Sequence, residues 1–343
     1  MSWYNSTGPQ ETHVLYTKVR YVRNPANMLF YHLADQKRSD ELFLKLNSIL
    51  EGNGFRQEKI SDSASPYLCS LCERQLIERD IVYSDKPRAL YFNDPCNLTV
   101  ALGGDNYISI SSVVPGLAVN EAMNMASGAE ELMDRDISFA YSESIGYLSP
   151  NLRECGSGMT ISAAIYLPSL RLLGELSQRI LSNSLTSMSL APMMSDGSNI
   201  GDVYVLTYSP HFLSDENTAA AHFTHSVQRL IKNEEAMLSA LFKDKKHSIY
   251  DKARRALGIL LYADTLSESE MLSLISDIRL YHSLNKCATC ALPVINDLNY
   301  LCAEGLNSSI LLSSKEKCAS IEDCDRARAT LIKKYLKDKA EVS

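Results

Sequence analysis

The 343-residue sequence predicts an α+β fold, an antiparallel sheet flanked by helices and followed by an all-helical C-terminal domain. Three observations carry that reading. Short runs of strand character separated by strong turn signals lie between Ala89 and Val114. The stretch from Phe139 to Leu173 reads as loop, strand and helix in that order. From Ser248 onward the helical character continues with no further strand signal. A chain of this length buries one large core or two smaller ones, and the change near Lys245-Lys246-His247 divides it into residues 1–246 and 247–343.

In chain order, residues 14 to 24 alternate as a strand with Lys18 and Arg20 on one face. Leu42 to Leu50 and Pro66 to Ile81 read as amphipathic helices joined by a polar connector. Ala89 to Phe92, Leu98 to Leu102 and Tyr107 to Val114 are short strands. Asn93-Asp94-Pro95 and Gly103-Gly104-Asp105-Asn106 supply the turns of an antiparallel meander. Pro115-Gly116-Leu117 leads into a helix ending near Asp134. Met159 to Leu167 alternates, with Ile161, Ala163, Ile165 and Leu167 on one face and Thr160, Ser162 and Tyr166 on the other. Pro168 suits the first position of a helix, where its missing N–H costs nothing, and Leu170, Leu173, Leu176, Ile180 and Leu181 recur at helical spacing. A loop from Ala191 to Gly201 precedes a strand over Asp202 to Tyr208. Helices follow over Glu216 to Phe242, Asp251 to Leu260, Glu268 to Tyr281, Leu292 to Glu304 and Ile321 to Leu336.

Hydrophobic content of 45% and charged content of 22% are those of a soluble globular protein. The net charge of -7 argues against a nucleic-acid partner, and the scattered tyrosines form no stacking platform. No apolar run spans a bilayer, and the N-terminus lacks the charged-then-apolar order of a signal peptide, so a cytoplasmic protein without a membrane partner is expected. The nine cysteines include two C-x-x-C pairs, Cys69/Cys72 and Cys287/Cys290. Their odd total speaks against a disulfide framework. The pairs have zinc-like spacing, but Cys69 to Arg79 reads as one helix and neither pair is followed by a knuckle glycine, so no metal site is expected. His222 and His225 share a helix face without an acidic partner and read as surface residues.

Gly146-Tyr147-Leu148, Gly156-Ser157-Gly158-Met159, Ser162 and Leu167-Pro168-Ser169-Leu170 fall in one gap-free register. That block resembles the ATP:guanidino phosphotransferases, and most nearly the bacterial protein-arginine kinases. Trp3, Gly8, Pro9, Arg20, Arg23 and Asn24 extend the resemblance toward the N-terminus, as do Gly197, Ser198 and Gly201, then Asp251, Arg255, Gly258 and Ser276-Asp277-Ile278-Arg279-Leu280 toward the C-terminus. The resemblance implies a guanidino kinase catalytic domain ahead of a helical domain. It also implies ATP-dependent transfer of the γ-phosphate to arginine side chains of proteins, with Mg-ATP as cofactor.

Phosphoryl transfer needs fixed cations around the phosphates and a carboxylate on the acceptor. The family's nucleotide-binding arginine positions fall here on Lys18, Arg20, Ser109, Thr160 and Ala191. Its catalytic glutamates and cysteine fall on Gly104, Asp105 and Asn151, and Asp196 stands for a further glutamate. Most of the cationic cradle is replaced. Two readings follow: a homologue with lost or much reduced phosphotransfer and no cofactor, acting as a regulatory or phosphoarginine-binding protein, or an active protein-arginine kinase using Mg-ATP in a rearranged site. In the second, Arg153 and Cys155 would compensate. The family's phosphoarginine motif in the last helix falls on Cys324, Asp325 and Arg328, the last two sharing a face at spacing i, i+3 either as a remnant pocket or as a solvated surface ion pair. By analogy the partners are protein clients or a partner subunit, a link to the Clp protease system, and a second copy of the chain docked through the helical domain.

Overall fold

Strand β1 (Val14–Arg23) lies near the middle of an eight-stranded sheet, because alternate residues of V-L-Y-T-K-V-R-Y-V-R bury on both sides. The computed structural model describes residues 3, 6–33, 35–58, 60, 66–83, 88–174, 188–193, 200–210, 214–285 and 320–340. After β1 come helix α1 (Gln36–Gly52), β2 (Arg56–Glu58), α2 (Pro66–Glu73), α3 (Arg79–Tyr83), β3 (Ala89–Phe92), β4 (Leu98–Leu102), β5 (Ile108–Pro115) and α4 (Val119–Asp134). A small hairpin, β6 (Tyr141–Ser142) and β7 (Gly146–Tyr147), precedes β8 (Met159–Tyr166) and α5 (Pro168–Leu173). The chain continues through β9 (Ser189–Pro192), β10 (Val203–Tyr208), α6 (Glu216–Tyr262), α7 (Glu268–Asn285) and α8 (Ile321–Ala340). The sheet order is β2-β3-β4-β5-β1-β8-β10-β9, and every neighbouring pair is antiparallel. The expected α+β class and the β3–β4–β5 meander are both present.

One sheet face is apolar. Val19, Tyr21, Ile110, Ile161, Ala163, Ile165 and Leu206 pack against Ala122, Met123 and Ala126 of α4 and against Phe223, Val227 and Leu230 of α6. Each such side chain, when fully buried, contributes about 1.5–3 kcal/mol if it is of Val, Leu, Ile, Phe or Met size. At one end of the opposite face Tyr16, Ala101, Val113 and Ala164 meet Leu68 and Leu71 of α2, Leu76 and Ile77 of the following turn, and Ile81 of α3. A third cluster joins α6, α7 and α8 through Leu260, Met271, Ile275 and Ile332.

Three boundaries differ from expectation. The helix expected over Pro66 to Ile81 breaks after Glu73, because Gln75 takes a φ of 63° and closes a Schellman motif. Leu76 N donates to Leu71 O at 3.0 Å and Gln75 N to Cys72 O at 2.9 Å, while Leu71 and Leu76 both bury. The separate helices expected over 216–242 and 251–260 are parts of one 47-residue helix, α6, interrupted only by non-helical angles at Lys245. No proline or glycine lies near that point to end it. Ala191, expected in a loop, lies in edge strand β9, where Pro192 is tolerated because an edge residue can spare its N–H. The expectations at Leu176, Ile180, Leu181, Asp196 to Ser198, Cys287, Cys290 and Leu292 to Glu304 lie outside the described residues.

The matched motif residues have structural roles. Gly8 packs so closely on the Pro115 carbonyl that a Cβ there would lie 2.1 Å from its oxygen, and Leu117 N donates to Pro9 O at 2.7 Å. Gly158 has a φ of 63°, and a Cβ would meet Arg23 Nη1 at 2.4 Å. Arg23 itself donates to Glu130, Ser157 O and Val22 O and lies 3.6 Å over the Tyr147 ring, which pins the Gly156-Ser157-Gly158 loop to the sheet. Ser276 donates to Asp202, Asp277 pairs with Arg171, and Arg279 donates to Glu11 O, so the Ser276-to-Leu280 motif clamps α7 to the sheet.

Candidate functional site

The register of the sheet decides which side chains meet on its second face. Lys18 and Arg20 face the same way from β1; Arg20 stands opposite Ser111 on β5 and Thr160 on β8, and Val22 stands opposite Ser109. Ser162 opposes both Lys18 and Thr207, and Val205 opposes Ala191 on β9. Because side chains alternate with period two, Lys18, Arg20, Ser109, Thr160 and Ala191 all belong to one face of the sheet. The five expected nucleotide-binding positions are thus gathered there, from the four strands β1, β5, β8 and β9.

Lys18 and Arg20 are already engaged. Lys18 Nζ lies 2.5 Å from Glu78 Oε1, with the lysine side chain 6% exposed and the glutamate 33%. Arg20 Nη2 donates to Glu154 Oε1, and both side chains are largely buried. Burial pushes the Glu78 carboxyl up, but the charges of Lys18 and Arg20 more than reverse this and hold it below the ordinary carboxylate value. Burial likewise pulls the Arg20 guanidinium down, and Glu78 and Glu154 overcome it to leave the group raised. The formal charge of Lys18, Arg20, Glu78 and Glu154 together is zero.

Glu154 is locked from its other side. Its Oε2 accepts from Asn106 Nδ2 at 2.9 Å and from Ser149 Oγ at 3.2 Å, while Asn106 Oδ1 accepts from Asn24 Nδ2 at 2.8 Å and from Ser149 Oγ at 2.9 Å. Glu78 is presented by the turn between α2 and α3. The Schellman motif fixes that turn, and Trp3 Nε1 donates to Arg74 O at 3.0 Å. Next to it Asp80 Oδ2 accepts from Asp105 N at 3.0 Å, and burial pushes the Asp80 carboxyl above its usual value.

The remaining expected site residues do little to restore a cationic lining. Ser109 Oγ is buried with no hydrogen-bond partner among the described residues, Thr160 Oγ1 lies 3.3 Å from Ser209 Oγ, and Ala191 is exposed. Asp105 is exposed and meets Asp80 through its backbone. Asn151 caps the short 3-10 turn Leu152–Glu154, its Oδ1 accepting from Arg153 N at 3.1 Å. Arg153 is exposed, and Cys155 is buried with Sγ 3.4 Å from both the N and the O of Ser149. Cys155 Sγ also lies 3.8 Å from the backbone O of Asn151. Among the described residues no group of three or more His, Cys, Asp or Glu is placed to hold a metal ion. His222 and His225 are exposed, with the His222 ring 5.4 Å from that of Tyr208.

Residues 48–237 match the ATP:guanido phosphotransferase C-terminal catalytic domain, and residues 246–343 match the C-terminal domain of the protein-arginine kinase McsB. The chain belongs to the ATP:guanido phosphotransferase family. It is 25% identical over 325 residues to a protein-arginine kinase of Exiguobacterium sp., covering 94% of this chain and 92% of that relative. To the protein-arginine kinase of Desulforamulus reducens it is 24% identical over 345 residues, covering 97% and 95%. Among solved structures, a lombricine kinase superposes with a TM-score of 0.58 at 14% identity, covering 67% of this chain and 68% of the other. The substrate-free duplicated taurocyamine kinase of Schistosoma mansoni gives 0.54 at 17% identity, covering 65% of this chain and 32% of that duplicated one. These structures share the fold of the ATP:guanido phosphotransferases.

The second motif that resembles this family lies in α8. Asp325 and Arg328 do pair, at 2.6 Å. The pair is not the solvated surface bridge weighed from sequence, because the Arg328 side chain is 2% exposed and its Nη1 also donates to Leu266 O at 2.8 Å. Leu266 N in turn donates to Asp325 O at 3.2 Å, so the pair fastens the α6–α7 connection to α8. Cys324, in the place of the motif's first arginine, is buried and disulfide-bonded, and the expectation against a disulfide framework does not extend to it. The solvated pair of this helix is Glu322–Arg326, one turn apart.

Glu78, Glu154, Asn106 and Asp80 were missed as site residues in the sequence. Reading Pro66 to Ile81 as one helix assigns Glu78 to a helix surface, and Glu154 is flanked by the more conspicuous Arg153 and Cys155. One signal was available: a buried Lys18 and Arg20 require counter-charges, since an unpaired buried cation is strongly disfavoured.

Proposed function

We propose that this member of the ATP:guanido phosphotransferase family is a protein-arginine kinase homologue with lost or much reduced phosphotransfer, acting as a regulatory or phosphoarginine-binding protein. The observation that carries the reading is the pairing of Lys18 with Glu78 and of Arg20 with Glu154 on the face where Ser109, Thr160 and Ala191 replace further cations. A triphosphate approaching that face meets no net positive charge from these four side chains. Its oxygens would compete with two carboxylates already in place, and each lost charged hydrogen bond weakens binding by about 1.5–3 kcal/mol. Asp105, shorter than glutamate and exposed, is a poor acceptor-side base. Phosphoarginine recognition through Asp325 and Arg328 would require Arg328 to leave Leu266, so client binding is assigned first to other surfaces. A homodimer through the helical domain, a cytoplasmic setting and a link to the Clp protease system belong to the same reading.

The second reading, an active Mg-ATP-dependent protein-arginine kinase, is favoured by the near full-length similarity to proteins of that name. Incubation with Mg-ATP and a basic test protein, followed by mass spectrometry for phosphoarginine, separates the two. The expected result is no modification and no thermal shift with Mg-ATP; modified arginines would reverse the order of the readings.

A further inference from the structure

We propose that the turn between α2 and α3 is a built-in anion mimic: Glu78, with Glu154 from the loop before β8, occupies a latent site for a phosphate-bearing anion on Lys18 and Arg20. The inference rests on the reading above and deepens it. The lining is then closed by the chain's own carboxylates as well as stripped of cations.

Two cations spaced i, i+2 on one strand face lie about 7 Å apart, within reach of the two ends of a pyrophosphate. Here each is met instead by a carboxylate from a different loop. The two carboxylates are held unequally. Glu154 is fixed by Asn106 and Ser149 as well as by Arg20. Glu78 is one-third exposed, and Lys18 is the partner found for its side chain. Withdrawing Glu78 alone would strand a Lys18 that is 6% exposed, and a buried charge without a partner is strongly destabilising. Exchange of one anion for another keeps Lys18 paired throughout. Glu78 therefore keeps the turn closed, and a competing anion gains the site only in so far as it replaces Glu78 on Lys18.

The hydroxyls around the pair fit the same ligand. Ser109 Oγ and Thr99 Oγ1 are buried on this face with no hydrogen-bond partner among the described residues, and a hydroxyl donates readily to a phosphate oxygen.

The test uses the 343-residue chain and inorganic pyrophosphate, followed by calorimetry and by 31P line broadening. Wild type is expected to bind weakly or not at all. Glu78→Gln/Glu154→Gln is expected to gain roughly ten- to hundredfold, the equivalent of one charged hydrogen bond recovered, and adding Lys18→Met should remove the gain. Should the double variant fail to fold, Glu78→Gln alone carries the test, since it leaves Arg20–Glu154 intact. A folded variant that binds no better than wild type, or a gain that survives Lys18→Met, overturns the mimic while leaving the reading of lost phosphotransfer standing. Tight pyrophosphate binding by wild type overturns both.

Discussion

The two faces of the central sheet are stabilised by opposite means. Behind it, Ile161, Ala163, Ile165 and Leu206 meet α4 and α6 through apolar contact, and a buried carboxylate there, Glu234, accepts from the hydroxyl and amide of Ser169. In front, Lys18 and Arg20 are buried because Glu78 and Glu154 meet them. The difference shows in the carboxyls: burial raises Glu234 to about 7, whereas neighbouring cations lower Glu78 despite its burial. Burial of the apolar residues on alternate positions specifies the strand register whichever charged residues line the other face.

The comparison breaks most readily on the apolar face. Phe223→Ala, at a side chain with no exposure, is expected to cost about 3–5 kcal/mol in urea denaturation; a loss below 1 kcal/mol would mean that α6 does not anchor the sheet.

The next effect separates the faces by the sign of their pH dependence. Glu234 has a raised carboxyl, so the folded state binds more protons than the unfolded one between the ordinary carboxylate value and about 7. Its contribution is present below that window and falls as pH rises through it, by up to about 3 kcal/mol. Glu78 runs the other way, stabilising above the usual carboxylate value and losing that contribution as pH falls through its lowered one. Glu234→Gln should flatten the fall in stability between the ordinary carboxylate value and about pH 7 and leave the acid limb, and an unchanged fall over that window would exclude Glu234 as its source.

The smallest of the three effects is a double-mutant cycle. Lys18→Met alone should destabilise by about 1–3 kcal/mol, discounted for the exposure of Glu78, and Lys18→Met/Glu78→Leu should recover most of it. If the double variant is no more stable than the single one, the pair is not what holds the α2–α3 turn to the sheet.

Much of the sheet was legible in the sequence because period-two alternation is local: the 14–24 and 159–167 runs announce their own faces, and Lys18 and Arg20 share one by spacing alone. The gathering of Ser109, Thr160 and Ala191 beside them came from the family resemblance, since strand order is not written in any single segment. What escaped was long-range. A glutamine at a left-handed φ is a weak signal beside a glycine, so the break at Gln75 and the placing of Glu78 were invisible. Arg328 looked like a surface residue because its carbonyl partner, Leu266, lies 62 positions away. The junction near Lys245 marks a change of composition, but the chain crosses it inside a helix.

That unbroken crossing bears on how the protein can be dissected. Leu238 and Ile249, one on each side of Lys245, bury in the same cluster with Leu280. The spar is therefore glued down on both flanks of its bend, and scissors applied at residue 246 would leave each fragment with a raw, greasy stump.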